Sequence, residues 1–198
     1  MRRAIVPIVE GHSEVDSVPI LLRRLLHRDG VYDLEIATPF RVQRTRLVRP
    51  GELEKALAFA SRFRERAAAI VVVLDSDDDC PASLGAELAK RCQDATHLPT
   101  LVAIANREFE GWLLGAKESL RGVRGIRRDA ESPERPESIR GAKERLTKNM
   151  AGGRRYLEVD DQPAFVERLD LAAAQARCPS FARFVSRFAT LVSQLAEA

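Results

Sequence analysis

The run Ala69-Ile70-Val71-Val72-Val73-Leu74 breaks directly into Asp75-Ser76-Asp77-Asp78-Asp79, and this junction constrains the chain more than any other stretch. A continuous apolar, largely β-branched segment of this length forms a strand buried on both faces. Such strands belong to parallel sheets covered by helices, whose carboxyl rim is where ligands collect. The acidic end therefore falls at the edge where chemistry is expected.

The neighbouring segments fit that frame. Ala4–Val9 reads as a first strand, with Pro7 pointing to an edge or a bulge. Ser13 can cap a helix reaching about Arg28, with Glu14 and Asp16 in its first turn. Pro19 would sit better if that helix began near Ser17. A second strand is expected over 34–40. Pro50 and Gly51 then open a helix with Leu53, Ala56, Leu57, Ala60 and Phe63 on one side. A helix over 84–93 and a strand from Thr100 to Ala105 complete the order β-α-β-α-β-α-β. From Glu108 the pattern turns helical, and Phe109, Trp112, Leu113 and Ala116 form a core-facing stripe rather than a base-stacking surface. A loop over 121–136 precedes helices over 137–149, 163–175 and 180–196. The expected fold is α/β, with a mostly parallel central sheet of about four strands flanked by helices. Residues 1–120 supply that core, and 121–198 a basic loop and helical extension packed on it as one structural domain.

A chain of 198 residues can bury such a core without covalent staples. Cys80, Cys92 and Cys178 include no CxxC pair, so neither a disulfide framework nor a structural zinc site is indicated. No uncharged apolar run approaches the roughly 20 residues needed to span a bilayer. Met1-Arg2-Arg3 and the apolar residues after it have the outline of a leader, but Glu10 arrives too soon and no cleavage site follows. A cytoplasmic protein without a membrane partner is expected.

The net charge is +3, yet residues 121–155 alone carry +6. That stretch either faces a polyanion or is a solvated arginine-rich segment. Arg41, Arg44, Arg46 and Arg49 pose the same choice: they could follow a nucleic-acid backbone, or guard an edge strand against aggregation.

Three of the four expected strands end in carboxylates: Glu10 after the first, Asp75 and Asp77 after the third, Glu108 and Glu110 after the fourth. Alternate residues of an extended chain share a side, so Asp75 and Asp77 are expected to converge while Ser76 points away. Carboxylates crowded together raise one another's pKa, and a hard divalent cation relieves the repulsion. One or two Mg²⁺ (or Mn²⁺) ions are therefore expected, with Asp79 a further candidate ligand and Asp78 a bystander. Glu108 and Glu110 both reach the site only if the chain is still extended there. Glu14 is either a first-turn carboxylate favoured by the helix dipole or a second metal ligand. The acidic run can also do no more than solvate a turn.

The segment Ile8-Val9-Glu10-Gly11-His12-Ser13-Glu14, followed by Val72-Val73-Leu74-Asp75-Ser76-Asp77, resembles the Toprim fold, with a glutamate after strand one and a DxD after strand three. The whole chain resembles the bacterial family DUF4276. The matching pieces are Glu10 to Glu14, the turn from Leu74 to Cys80 and Pro81, Glu108 to Leu114, and Cys178-Pro179-Ser180-Phe181-Ala182-Arg183-Phe184. The resemblance implies metal-dependent phosphodiester chemistry on nucleic acid, DNA or RNA, with Glu10 as general acid/base and Asp75 and Asp77 holding the metal. The Glu10–Glu14 pattern is similar to the OLD-type nucleases, which can bind two metals and carry an ATPase in the same chain. No GxxxxGK[ST] loop occurs here, so the implied nuclease acts alone or with a separate ATPase partner. Tyr32 and Tyr156 lack a topoisomerase context, and a primase's additional domains are missing. Two other readings stay open: a non-catalytic Toprim-derived module that binds metal, nucleic acid or a partner, and a nucleotide-sugar transferase whose DxD holds Mn²⁺ and a diphosphate.

Overall fold

The computed structural model describes residues 3–63 and 67–197, and the side chain of Phe63, the last of the helical stripe above, lies outside the described ones. Its α/β half runs β1 (Arg3–Val9), α1 (Glu14–Arg28), β2 (Leu34–Ile36), β3 (Phe40–Arg41), α2 (Arg44–Leu47), α3 (Glu52–Phe63), β4 (Ala67–Asp75), α4 (Pro81–Ala95) and β5 (Thr100–Ala105). The helical half follows as α5 (Glu110–Gly115), α6 (Ala142–Lys148), α7 (Glu158–Arg168), α8 (Leu171–Arg177) and α9 (Pro179–Glu197). All strand pairings are parallel in the order β2-β1-β4-β5, with β3 also on β1.

The segment expected as one strand over 34–40 is two short ones. Pro39 has no N–H to give a ladder and biases Thr38, so the pairing lapses between Ile36 and Phe40. Pro7 is accommodated by the same gap. Val9 and Ile5 accept from Val42 and Ala37 on that side of β1, and Pro7, between them in the alternation, faces the space where neither β2 nor β3 pairs. Of the two expectations for Pro7, an edge or a bulge, the edge is thus corrected: β1 is central, and its register with β4 shifts between Ala4 and Ile5. Helix α1 likewise starts at Glu14 with Pro19 inside it, not at Ser17.

The sheet separates two apolar cores by strand parity. Ala69, Val71 and Val73 of β4 face α1 and the helical half, whereas Ile70, Val72 and Leu74 face α3 and α4. Trp112 is fully buried among Phe109, Phe181 and Phe184, with ring centroids 4.9, 5.1 and 5.5 Å away. Its Nε1 donates to Ser180 Oγ at 2.8 Å, which also receives the Asn106 N–H. The segment over 121–136 includes a short helical turn at Val123–Gly125, and the expected helix over 137–149 is a 3₁₀ turn at Pro136–Ser138 followed by α6. The one over 163–175 is α7 and α8, divided where Asp170 caps α8 by accepting from Ala172 and Ala173. One core cluster joins β1, β4 and β5 to α5 through α9. Among the described residues, no helix is long and apolar enough to cross a membrane.

Candidate metal centre

Parity places the first carboxylate. Asp75 continues the Ala69–Val71–Val73 face of β4, so its side chain enters the side covered by α1 and α5. There it meets two glutamates from the β1–α1 connection. Carboxylate oxygens of Glu10, Glu14 and Asp75 all lie within 4.8 Å of one another.

Backbone donors fix one oxygen of each. Glu10 Oε1 accepts the N–H of Asp75 at 2.6 Å. Glu14 Oε2 accepts the N–H groups of Glu10 and Gly11 at 3.0 and 3.1 Å. Asp75 Oδ1 accepts the N–H of Phe109, beyond β5, at 2.8 Å. The trio is therefore oriented by main chain from three strand ends, an arrangement that loses little freedom when a ligand binds.

Glu110, at the start of α5, stands behind the trio. It is 1% exposed and accepts from Tyr156 Oη at 3.0 Å and Gln162 Nε2 at 3.1 Å. Gln162 is held in turn by the Ser17 hydroxyl of α1. A cavity of about 370 Å³, lined by Glu10, Glu14, Asp75, Glu110, Lys143 and Glu158 among others, opens over the group.

Crowding in a buried space disfavours charge. Burial, joined by the Asp77 charge and opposed by the Asp75 N–H, pushes the Glu10 carboxyl from 4.5 up to about 7. Burial and the neighbouring Glu10 do the same for Glu14, also to about 7. Asp75 is raised well above its ordinary value by burial and then by Glu14, Glu110 and Glu10. Burial carries Glu110 to about 7, while the Lys143 charge acts against it. Burial also disfavours the charge of Lys143, but Glu110 and Glu158 outweigh this and hold it firmly protonated. Its Nζ pairs with Glu158 at 2.9 Å. One lysine facing several carboxyls leaves negative charge that protons or a divalent cation must balance.

Such an oxygen-only donor set suits Mg²⁺ or Mn²⁺ rather than a thiolate- or imidazole-seeking metal. The remaining sequence candidates are placed elsewhere. Asp77 lines the same cavity but stays outside the trio, because the strand has ended and its φ of 49° takes the chain into the left-handed region. It lies 3.3 Å from Arg44 Nε, and Asp79 also pairs with Arg44. Asp78 pairs with Arg140 at 2.6 Å and with Arg107. Glu108 accepts the N–H groups of Gly141 and Ala142 at 2.9 and 3.0 Å, capping α6. Of the two glutamates after β5, Glu110 alone faces the trio.

Two of the four arginines, Arg44 and Arg46, have their guanidinium groups paired with carboxylates. Arg44 donates to the carbonyls of Asp75 and Ser76 at 3.0 and 3.2 Å, bracing the acidic turn. Arg46 pairs with Glu52 at 2.7 Å. Arg49 offers its carbonyl to Arg91. Arg41 remains on the surface, with Nη1 3.4 Å from the Glu10 carbonyl. In the basic stretch, Arg124 and Arg154 both converge on the fully buried Asp161. Sequence reading missed Lys143, Tyr156, Glu158 and Gln162. Only the excess of positive charge around Lys143 hinted at any of them.

No curated protein and no solved structure matches the chain. A family model described as "Domain of unknown function (DUF4276)" matches residues 9–189, a span that includes every carboxylate of the centre and Lys143. The chain belongs to the DUF4276 family.

Proposed function

We propose that the protein is a divalent-metal-dependent hydrolase of nucleic-acid phosphodiesters, of the Toprim nuclease type. The observation that carries this reading is the convergence of Glu10, Glu14 and Asp75 within 4.8 Å at the carboxyl rim of a parallel sheet. In this reading Glu14 and Asp75 hold the ion, each with one oxygen already fixed by backbone. A bound Mg²⁺ or Mn²⁺ supplies Lewis-acid polarisation of the phosphate and stabilises charge on its oxygens.

Glu10 carries the proton. Its orientation is set by the Asp75 N–H, and its oxygen lies within 4.8 Å of those of Glu14 and Asp75 that would hold the ion, in reach of the reacting phosphate's water. Lys143, held by Glu158, presents a permanent positive charge to the phosphate that enters the cavity. Glu110 retains Lys143 at the interior face of the centre. The net positive charge of residues 121–155 favours a polyanionic substrate.

A nucleotide-sugar transferase needs Asp75 and Asp77 on one ion, whereas Asp77 stands outside the trio and pairs with Arg44. A metal-binding module without turnover shares the same ligands and differs only in outcome. The test is Mg²⁺- or Mn²⁺-dependent nicking of plasmid DNA, and cleavage of RNA, by wild type, Glu10→Gln and Asp75→Asn. The proposal expects cleavage by wild type alone, with Glu10→Gln still binding Mn²⁺ and Asp75→Asn losing it. Equal cleavage by all three contradicts it, and metal binding without cleavage favours the non-catalytic module.

A further inference from the structure

We infer that the outer wall of the metal cavity is the path of the nucleic-acid strand, with Lys148 and Arg155 holding phosphates that adjoin the one at the centre and Leu157 and Val159 lying against sugar and base. This rests on the nuclease reading above and names the substrate-binding residues that lie outside its centre.

The chain entering α7 alternates between the centre and water. Tyr156 turns inward, its Oη donating to Glu110 and its N–H to Thr147 Oγ1 at 3.2 Å. Arg155 and Leu157 on either side of it are exposed. Glu158 lines the cavity and holds Lys143, and Val159 after it is exposed again. Leu157 and Val159 are 53% and 56% exposed, although they flank a residue of the site. Their segment is firmly anchored: the Leu157 N–H donates at 2.9 Å to Asp161, a fully buried carboxylate that Arg124 and Arg154 also hold. Two large apolar side chains are thus kept in water at the cavity wall, as on a binding surface.

Charge identifies the occupant. Within 121–155, Arg124 and Arg154 are engaged by Asp161, Arg127 by Asp129, Arg140 by Asp78 and Lys143 by Glu158. Lys148 and Arg155 are exposed and, among the described residues, pair with no carboxylate. Glu144, one turn before Lys148 on α6, folds back over Gly141 instead. The bond between Thr147 and Tyr156 brings their chain neighbours, Lys148 and Arg155, to the same end of α6. Thr147 itself stands one turn beyond Lys143, which lines the cavity, and donates to its carbonyl at 3.1 Å. Cations therefore continue outward from the centre along α6. Phosphates recur along a strand at such intervals, and the sugar and base between them offer the apolar surface that Leu157 and Val159 lack.

The test measures binding of a labelled single-stranded DNA, and of the RNA of the same sequence, over a series of KCl concentrations with Ca²⁺ replacing Mg²⁺. Thermal melts of each variant verify that the fold is kept. On the strand that wild type binds more tightly, Lys148→Ala with Arg155→Ala is expected to flatten the dependence of log K on log salt by about 1.4, two phosphate contacts at about 0.7 each. Leu157→Ser with Val159→Ser is expected to weaken binding several-fold at an unchanged slope. Arg23→Ala with Arg28→Ala removes the same charge from α1, away from the cavity, and is expected to keep the wild-type slope. A wild-type slope in the Lys148 and Arg155 variant, an equal flattening in the α1 variant, or undiminished affinity in the serine variant overturns the strand path and leaves the nuclease reading standing. If wild type binds neither strand, both fail.

Discussion

Glu10 Oε1 accepts the backbone N–H of Asp75 at 2.6 Å, joining the end of β1 to the end of β4 across 65 residues of sequence. The bond does more than link strands. It holds one carboxylate against the base of another, in a half-buried pocket where both would rather be neutral. A structure that only needed a stable rim could have placed an amide there.

The first prediction concerns pH. Glu10, Glu14 and Glu110 have carboxyl values near 7 in the fold, against 4.5 when unfolded. The folded state therefore binds these protons more tightly. Its advantage is complete below about pH 4.5 and is lost as pH rises through 7. A tenfold difference in proton affinity is worth about 1.4 kcal/mol, and because the carboxyls share protons as one group the total is on the order of a few kcal/mol. Chelator-treated protein should melt at a lower temperature at pH 8 than at pH 5.5, and Mn²⁺ should restore stability at pH 8. A melting temperature that rises over this interval without metal would contradict the crowding.

A second prediction separates Glu110 from the surface. Tyr156→Phe removes a donor to a carboxylate buried to 1% exposure. The loss should be about 1–3 kcal/mol, and larger at pH 8 than at pH 5.5 because the ionised carboxylate needs that donor most. Denaturant melts at the two pH values measure it. An equal loss at both would mean that Glu110 stays neutral throughout.

A third prediction isolates Lys143. Replacing it by Met takes a cation away from Glu110 and Asp75. Mn²⁺ should then bind several-fold more tightly while turnover falls at least tenfold, since the ion gains and the phosphate loses. Isothermal titration and single-turnover cleavage give the two numbers. A parallel loss of both would show that Lys143 only maintains the fold.

A fourth prediction distinguishes Glu108 and Asp77 from the trio. Glu108→Ala removes acceptors for two N–H groups at the start of α6 and should cost about 1 kcal/mol. Asp77→Asn keeps a side chain that tolerates the left-handed backbone and should change stability little. Glu108→Ala should leave the Mn²⁺ isotherm unaltered and the Asp77 variant should shift it only modestly, through the lost charge near Glu10, in contrast to Glu14→Gln. Mn²⁺ binding lost outright in either variant would bring that residue back among the ligands.

How much of this was legible depended on chain geometry. β4 could be read because a strand buried on both faces has a continuous apolar signature. The side to which Asp75 points follows from the same alternation. Asp77 was misplaced because alternation ends where the strand does, and a φ of 49° leaves no trace in residue type. Glu108 and Glu110 could be told apart only by where α5 begins. Lys143, Tyr156, Glu158 and Gln162 were hidden for a different reason. They come from α6, α7 and the segment between them, and reach the centre only through packing of α6 on α5 and α7 on α1. The arginines of 41–49 read as free cations, but Arg44 and Arg46 are spent on partners that local sequence does not announce.

The most direct test is a crystal soaked in Mn²⁺ and measured at an anomalous wavelength. The account predicts a peak among the carboxylates of Glu10, Glu14 and Asp75, and none between Asp77 and Asp79. A trio without a peak at saturating Mn²⁺, or a peak confined to the acidic turn, would contradict it.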